Sequence, residues 1–397
     1  MEKRMRYLLS LMLFLPLSAV CQMADVAPVP KNPAASLTLP AGFKVQVFAD
    51  LVAAGYSESA RFMAFGPDGN LYLALSNDGK VVMLPDANRD GLADKVVLVA
   101  DNLNAPNAVT FVNGVLYVSN QDGIVKLQRK GEWPAVSTQP VVKGLPTGGH
   151  TLKTVRLGPD GYLYLNVGSS CNVCVETDPL RATILRYTPD GVAAGALTTV
   201  GKHAPTPVWA TGLRNAQGFA WHPVTGAMYA TNNGADMRSG IKGGKVNDEL
   251  PPEHLNLIIS GQQYGWPYCW GNRFADPNFS GPSGFCEAMQ APALTFTSHT
   301  TPLGITFLDR AAFPSGYQRD AIVALHGSWN RDTLSGYKVV RVKFEQDKPV
   351  AYEDFITGWL SGRTAWGRPV DVQVGPDGAL YISDDRAGLI YRVSYTK

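Results

Sequence analysis

Apolar positions in this chain fall into short alternating runs separated by turn residues, and one such unit recurs. Its first clear copy is Phe62-Met63-Ala64-Phe65-Gly66-Pro67-Asp68-Gly69-Asn70-Leu71-Tyr72-Leu73-Ala74. Close relatives occupy 155–165, around Gly158-Pro159-Asp160-Gly161, and 374–382, around Gly375-Pro376-Asp377-Gly378. Looser copies run through 108–118 and 222–229, and a degenerate one runs from 304–307 to 321–325. In this unit Pro fixes φ at the first turn position, Asp caps its own backbone, and Gly takes the position with positive φ. Two alternating runs about such a turn make a hairpin with one buried face.

A hairpin of this kind cannot bury its face alone, so neighbours must stack. Repeats roughly 45 to 85 residues apart suit propeller blades with loop insertions. Few segments have the period of an amphipathic helix, which disfavours a doubly wound α/β fold. The pattern predicts an all-β, six-bladed β-propeller of four-stranded antiparallel blades, spanning 39–397 as a single domain. The alternating strand over 43–49 has no blade of its own; it is expected to join the C-terminal blade and close the ring, removing exposed sheet edges.

The N-terminus has a different pattern. Lys3, Arg4 and Arg6 precede an apolar run from Tyr7 that continues past Pro16 to Val20. This length fits a secretory signal over 1–21, with an unfixed cleavage point, and is too short for a membrane span. Residues 22–38 then read as a flexible leader, and Cys21 is a candidate lipid-attachment site. The formal charge of +2 falls to 0 once Glu2, Lys3, Arg4 and Arg6 are removed. The mature chain therefore has no nucleic-acid footprint. No later segment reads as a transmembrane helix. The predicted location is periplasmic or secreted, an oxidising compartment in which Cys171, Cys174, Cys269 and Cys286 can pair. The preferred pairing, of three connectivities, is Cys171 with Cys174 and Cys269 with Cys286. Structural zinc is the competing reading, weakened by the lack of nearby histidines.

Candidate chemistry concentrates between the repeated strands. His150, in Gly148-Gly149-His150, can serve as a general base or as a structural loop histidine. Arg214, with Asn215, lies in a glycine-flanked segment over 212–218 and can hold a carboxylate or stabilise an anionic oxygen. His326-Gly327-Ser328-Trp329-Asn330-Arg331 is unusually polar for a loop. Arg363, Trp366 and Arg368 can form a cationic, aromatic wall, or be solvated charge. Asp86, Asn88, Asp90 and Asp94 match much of an EF-hand loop but lack its final Glu, so a Ca²⁺ loop and an acidic turn stand level. Asn247, Asp248 and Glu249 form a second oxygen-rich group. No dinucleotide-binding glycine motif, zinc-protease motif or haem-attachment motif is present.

In order along the chain, several segments resemble the soluble glucose/sorbosone dehydrogenase family of pyrroloquinoline quinone (PQQ) enzymes, in particular its sorbosone-dehydrogenase-like branch. They are Gly148-Gly149-His150, 212–218, Asn256-Leu257-Ile258 with Tyr264-Gly265-Trp266-Pro267, 326–331, and Gly367-Arg368-Pro369 leading to Gly375-Pro376-Asp377-Gly378. The resemblance covers about Leu39 to Tyr395. It implies PQQ and Ca²⁺ as cofactors, a sugar or aldehyde substrate, and an external electron acceptor such as a soluble cytochrome or quinone. It casts His150 as the base and Arg214 as the group beside the reacting quinone oxygens. Asn215, His326, Arg331 and Arg368 become cofactor contacts. The carbonyls of Gly234 and Ala235 become Ca²⁺ ligands, with Asp248 and Glu249 near the metal. The sequence departs from the family at Ser169, where sugar-oxidising members carry an Asp that orients the histidine, and at Val370, where a second arginine is expected. Glu176 and Asp178 are the acids that could fold back in place of the missing Asp. A calcium-dependent lactonase and a non-enzymatic carbohydrate- or protein-binding propeller are the other two readings.

Overall fold

The Gly-Pro-Asp-Gly units fold as the hairpins their turn chemistry dictates. Gly69, Gly161 and Gly378 take φ of 79°, 80° and 75°, the left-handed region that only glycine enters freely. In each copy the turn Asp also accepts the hydroxyl of a tyrosine four residues on. Tyr72 reaches Asp68 at 2.7 Å, Tyr164 reaches Asp160 at 2.9 Å, and Tyr381 reaches Asp377 at 3.1 Å. The tyrosine of the repeat therefore ties the turn to the second strand while its ring packs in the core.

The protein is described by a computed structural model over residues 24–196 and 206–396. The expected signal segment and Cys21 lie outside these residues. Among the described residues there are six four-stranded antiparallel sheets and a single α-helix, Phe285–Ala288. The first sheet comprises Ala60–Phe65, Leu71–Leu75, Lys80–Leu84 and Val97–Ala100, and the second comprises Ala108–Val112, Val115–Asn120, Gly123–Gln128 and Ser137–Val142. The third opens with Val155–Leu157, the fourth with Phe219–Trp221 and the fifth with Pro302–Phe307. The sixth takes Pro369–Val374, Leu380–Asp384 and Leu389–Tyr395 from the C-terminus, and its fourth strand is Phe43–Asp50 from the other end of the chain. Phe43 pairs with Tyr395 and Val45 with Val393, as the strand without a blade of its own suggests.

Each sheet buries its face against the next in a propeller-like arrangement. Tyr72 packs with Val109, Tyr117 with Leu165, Tyr164 with Phe219, Tyr229 with Phe307, Ile322 with Leu380, and Tyr381 with Leu73 in successive apolar clusters, the last returning from the sixth sheet to the first. Both preferred disulfides are present, Cys171–Cys174 and Cys269–Cys286. No helix among the described residues is long and apolar enough to cross a membrane.

The part of the expected flexible leader that is described, from Ala24, is tied down. Ala24 is buried, Asp25–Val26 pairs in parallel with Thr364–Ala365, and Thr38 bridges to Thr357. Backbone amides of the segment have partners in the last sheet's approach: Asp25 N–H donates to Arg363 O and Ala27 N–H to Ala365 O. Satisfied donors and a buried anchor, rather than composition, decide its order.

The antiparallel order fixes which loops share a face. The Pro-Asp-Gly turns join the end of a first strand to the start of a second. The start of a first strand, the end of a second and the start of a third then lie together on the opposite face. Arg61, Asp384, Asn232 and Glu253 all occupy such positions. The Asp86–Asp94 loop joins the end of a third strand to a fourth, so it sits on the turn face. Its carboxylates accept its own amides: Asp86 takes those of Asp90 and Gly91, and Asp94 takes that of Ala87.

Candidate active site

On the face opposite the Pro-Asp-Gly turns, the connections converge on a cavity of about 200 Å³. His150 enters from the crossing between the second and third sheets, and Arg214 and Asn215 from that between the third and fourth. Asn233, Gly234, Asp236 and Glu253 come from the fourth sheet's central hairpin, Trp329 and Asn330 from the fifth sheet, and Arg368 from the approach to the sixth.

The glycine just before His150 makes this placement possible. Gly149 has φ of 60°, and a Cβ there would lie 2.5 Å from Ser169 O. Only the bare backbone lets the His150 loop lie against the end of strand Leu163–Val167, where His150 N–H donates to Ser169 O at 2.9 Å. The imidazole turns the same way. Its Nδ1 lies 2.9 Å from Ser169 Oγ and 3.2 Å from Ser169 O. Ser169 Oγ–H donates to Cys171 O at 2.7 Å, so the serine oxygen is left to accept, and Nδ1 carries the proton. Nε2 is then the nitrogen with a lone pair available in the cavity. Burial, with Arg214 second, pushes the His150 pKa down to about 4, so the ring is neutral at ordinary pH.

Ser169 therefore stands where the orienting carboxylate was expected, and supports the histidine by hydroxyl and carbonyl instead. Neither proposed substitute acid reaches the ring. Glu176 accepts the amide and hydroxyl of Ser170, and Asp178 caps Leu180 N–H.

Arg214 is buried and held on every side. Its Nη1 donates to Gly234 O at 2.6 Å, its Nε to Asn172 O, and its Nη2 to Asn172 Oδ1 and Asp236 Oδ2, the last at 2.7 Å. Asp236 also accepts Asn330 Nδ2 at 2.7 Å. Glu253 is fully buried and accepts Gly234 N–H; burial pushes its carboxyl up to about 8, and the nearby Asp236 adds to this. The side-chain oxygens of Asn233 and Asn330 are buried without a partner. Two carboxyl groups and two orphaned amide oxygens on one cavity are the donor chemistry of a hard divalent cation such as Ca²⁺. Such a charge would hold Glu253 ionised. The Gly234 carbonyl, expected as a ligand, already accepts from Arg214 and keeps one lone pair.

Several expected site residues are placed elsewhere. Arg331 does not line the cavity: its guanidinium is taken by Thr333 O, Ser298 O and Glu249. Asp248 accepts Asp332 N–H, so Asp248 and Glu249 brace the 326–335 loop instead of facing the cavity. His326 gives its Nε2 to Asp385 Oδ1 at 2.8 Å, in a network that continues to Arg61 and Gln217. Its carbonyl accepts Arg368 Nε, so it orients the arginine from behind. Val370 is fully buried with Phe62, Ala108 and Leu303. A second guanidinium, Arg386, instead lines a neighbouring cavity of about 530 Å³ together with Arg368 and the Val26–Val29 segment. Asp236, Glu253, Asn233, His299 and Asn330 were not singled out as individual site residues. The available signal was adjacency, since Asn330 lies beside Arg331 and Asp236 two residues after Gly234.

Comparison with known proteins places this geometry. An uncharacterised protein of Borreliella burgdorferi is 26% identical over 91% of this chain and 92% of its own length. An aldose sugar dehydrogenase of Escherichia coli is 25% identical over 63% of this chain and 61% of that enzyme. The PQQ domain of a pyranose dehydrogenase from Coprinopsis cinerea, solved in its holo form, superposes with a TM-score of 0.77 at 22% identity, covering 94% of this chain and all of that domain. The profile of the TrAA12-like family matches residues 37–396. The chain belongs to the TrAA12-like family.

Proposed function

We propose that this protein is a PQQ-dependent dehydrogenase of a sugar, a sugar-derived aldehyde such as sorbosone, or a related alcohol. In this reading the six sheets close as a six-bladed β-propeller, with the site at one mouth of its channel. The observation that carries it is His150, neutral and with Nδ1 occupied, on the same cavity wall as a buried Arg214–Asp236 pair and an oxygen-rich donor set. The relatives' names, a pyranose dehydrogenase PQQ domain and an aldose sugar dehydrogenase, point to the same chemistry. Two disulfides support export to the periplasm or beyond.

When bound, PQQ supplies a quinone that takes up the hydride, and Ca²⁺ polarises it. The residues of this chain do the rest. His150 Nε2 accepts the proton of the substrate hydroxyl. Arg214, fixed by four hydrogen bonds, presents positive charge to developing negative charge without having to reorganise. Asp236, Glu253, Asn233 and Asn330 are the side chains assigned to Ca²⁺. Arg368 and Asn215 hold anionic and polar groups of the cofactor, with Arg386 in the place left by Val370. The electrons leave to an external acceptor.

Purified protein given PQQ and Ca²⁺ is expected to show a change in quinone absorption and dye-linked oxidation of aldoses. Absence of PQQ binding by the intact protein overturns the proposal. Arg368→Ala is expected to weaken PQQ binding by at least about tenfold, the scale of losing one charge-assisted contact. Titration of the absorption change against PQQ concentration reads this directly. A second reading, a calcium-dependent lactonase, is favoured by the side-chain carboxylates and amides of the donor set. Ca²⁺-dependent lactone hydrolysis in the absence of PQQ selects it.

A further inference from the structure

The smaller of the two disulfide-closed loops among the described residues lies beside the candidate site. The Cys171–Cys174 disulfide closes a loop of four residues just after Ser169. Inside it, Asn172 makes five hydrogen bonds to groups of the site or its wall. Its carbonyl accepts Arg214 Nε at 3.1 Å and Trp266 Nε1 at 3.0 Å. Its Oδ1 accepts Arg214 Nη2 at 3.0 Å and Asp236 N–H at 2.7 Å, and its Nδ2 donates to Asp236 O at 2.9 Å. The residue before it, Cys171, provides the carbonyl that fixes the Ser169 hydroxyl against His150.

We propose that Asn172, held by the Cys171–Cys174 disulfide, is the positioning residue that sets the Arg214–Asp236 pair at the cavity wall. The argument is one of degrees of freedom. A planar amide that accepts from a guanidinium and from a backbone amide, while donating to that same backbone, fixes Arg214 and Asp236 relative to one another. An exposed loop would otherwise be free to move, since residues 170, 175 and 177 are exposed and no strand or helix passes through it. The disulfide removes most of that freedom by closing the loop within three residues of sequence. No other side chain bridges Arg214 and the Asp236 backbone among the described hydrogen bonds. The role of the pair in turnover rests on the dehydrogenase reading; the positioning of the pair does not.

Asn172→Ala and the double variant Cys171→Ser/Cys174→Ser test this. Two readouts need no cofactor: the thermal melt of the full chain, and the His150 ring titration followed by NMR. The charged groups near that ring are Arg214, Asp236 and Arg181. Loosening Arg214 and admitting water raise the His150 midpoint and loosening Asp236 lowers it, the first two being the larger effects. An upward shift is therefore expected for both variants, with a lowered but still cooperative melt. In the enzyme loaded with PQQ and Ca²⁺, kcat is expected to fall about 10- to 100-fold with little change in KM, the scale of an ångström-level misplacement. A His150 midpoint unchanged in Asn172→Ala overturns the positioning role, whatever the protein's activity proves to be. A midpoint unchanged in the double variant alone overturns the part assigned to the disulfide. If Asn172→Ala does not fold, Asn172→Gln, which keeps the amide but displaces it by one methylene, takes its place: a wild-type His150 midpoint there overturns the positioning role.

Discussion

Replacing His150 with alanine is expected to lower kcat for sugar oxidation by about 10²- to 10⁴-fold, the range over which a positioned general base acts, while PQQ binding stays near the wild-type level. The split follows from geometry. His150 contributes one ring nitrogen to the cavity, whereas the anionic groups of the cofactor are assigned to Arg368 and Arg386. Stopped-flow reduction of the bound quinone, at saturating sugar, measures the step directly; a loss of less than about tenfold removes His150 from the role of base. The pH dependence has a definite sign. The base works only when neutral, so the rate falls as pH drops through the His150 pKa, which burial and Arg214 place at about 4. Ser169→Asp restores a carboxylate beside Nδ1 and stabilises the charged ring. The acid limb should then move upward by roughly 1 to 3 pH units. An acid limb that stays in place would mean that the titrating group lies elsewhere.

The parts of this molecule that were legible in the sequence are the local ones. A Pro-Asp-Gly turn needs only its own four residues, so Gly69, Gly161 and Gly378 mark hairpins without reference to the remainder of the chain. The odd strand Phe43–Asp50 was legible by elimination, because a sheet edge left open must be paired. The cysteines form the preferred one of their three connectivities. Convergence of loops from distant sheets on one cavity is not local, and neighbouring residues do not reveal it. Arg331 and Asn330 are adjacent, yet the first turns back to Ser298 and Glu249 while the second reaches Asp236 at the cavity. Glu249 and Glu253 differ by four positions; one braces a loop and the other is buried at the site. Composition cannot separate these, because the difference lies in which face of a turn meets the cavity. Asp86, Asn88, Asp90 and Asp94, read as level between a structural Ca²⁺ loop and an acidic turn, lie by strand parity on the face opposite His150. Ser169 shows the converse. The residue type departs from the expected acid, but its position does not, and a hydroxyl fixed by the Cys171 carbonyl sets the same tautomer that a carboxylate would.

The largest loss of stability is expected at Asp371, whose partners Arg156 and Met63 lie far from it in sequence. Asp371 is fully buried on the first strand of the sixth sheet, and its carboxylate accepts Arg156 Nη2 at 2.9 and 3.1 Å from the third sheet and Met63 N–H at 2.8 Å from the first. Arg156 in turn donates to Met63 O at 2.7 Å. One ion pair thus spans three sheets that hydrogen bonds of their own ladders never join. Asp371→Ala leaves the Arg156 guanidinium largely buried without its counter-charge and strips Met63 N–H of its acceptor. Removing one partner of a buried pair costs about 3–5 kcal/mol, because the penalty is that of the charge left behind. Chemical denaturation of the full chain, with the midpoint converted through the m-value, should show a loss of that size. Asp371→Asn keeps an oxygen for Met63 but not the charge, so it should fall between the alanine variant and wild type. If Asp371→Ala unfolds within about 1 kcal/mol of wild type, the three sheets are held by their apolar contacts alone. A loss in the expected range gives the ion pair a different place from the apolar clusters: those fasten each sheet to its neighbour, whereas Asp371 and Arg156 tie the first, third and sixth sheets together through one carboxylate.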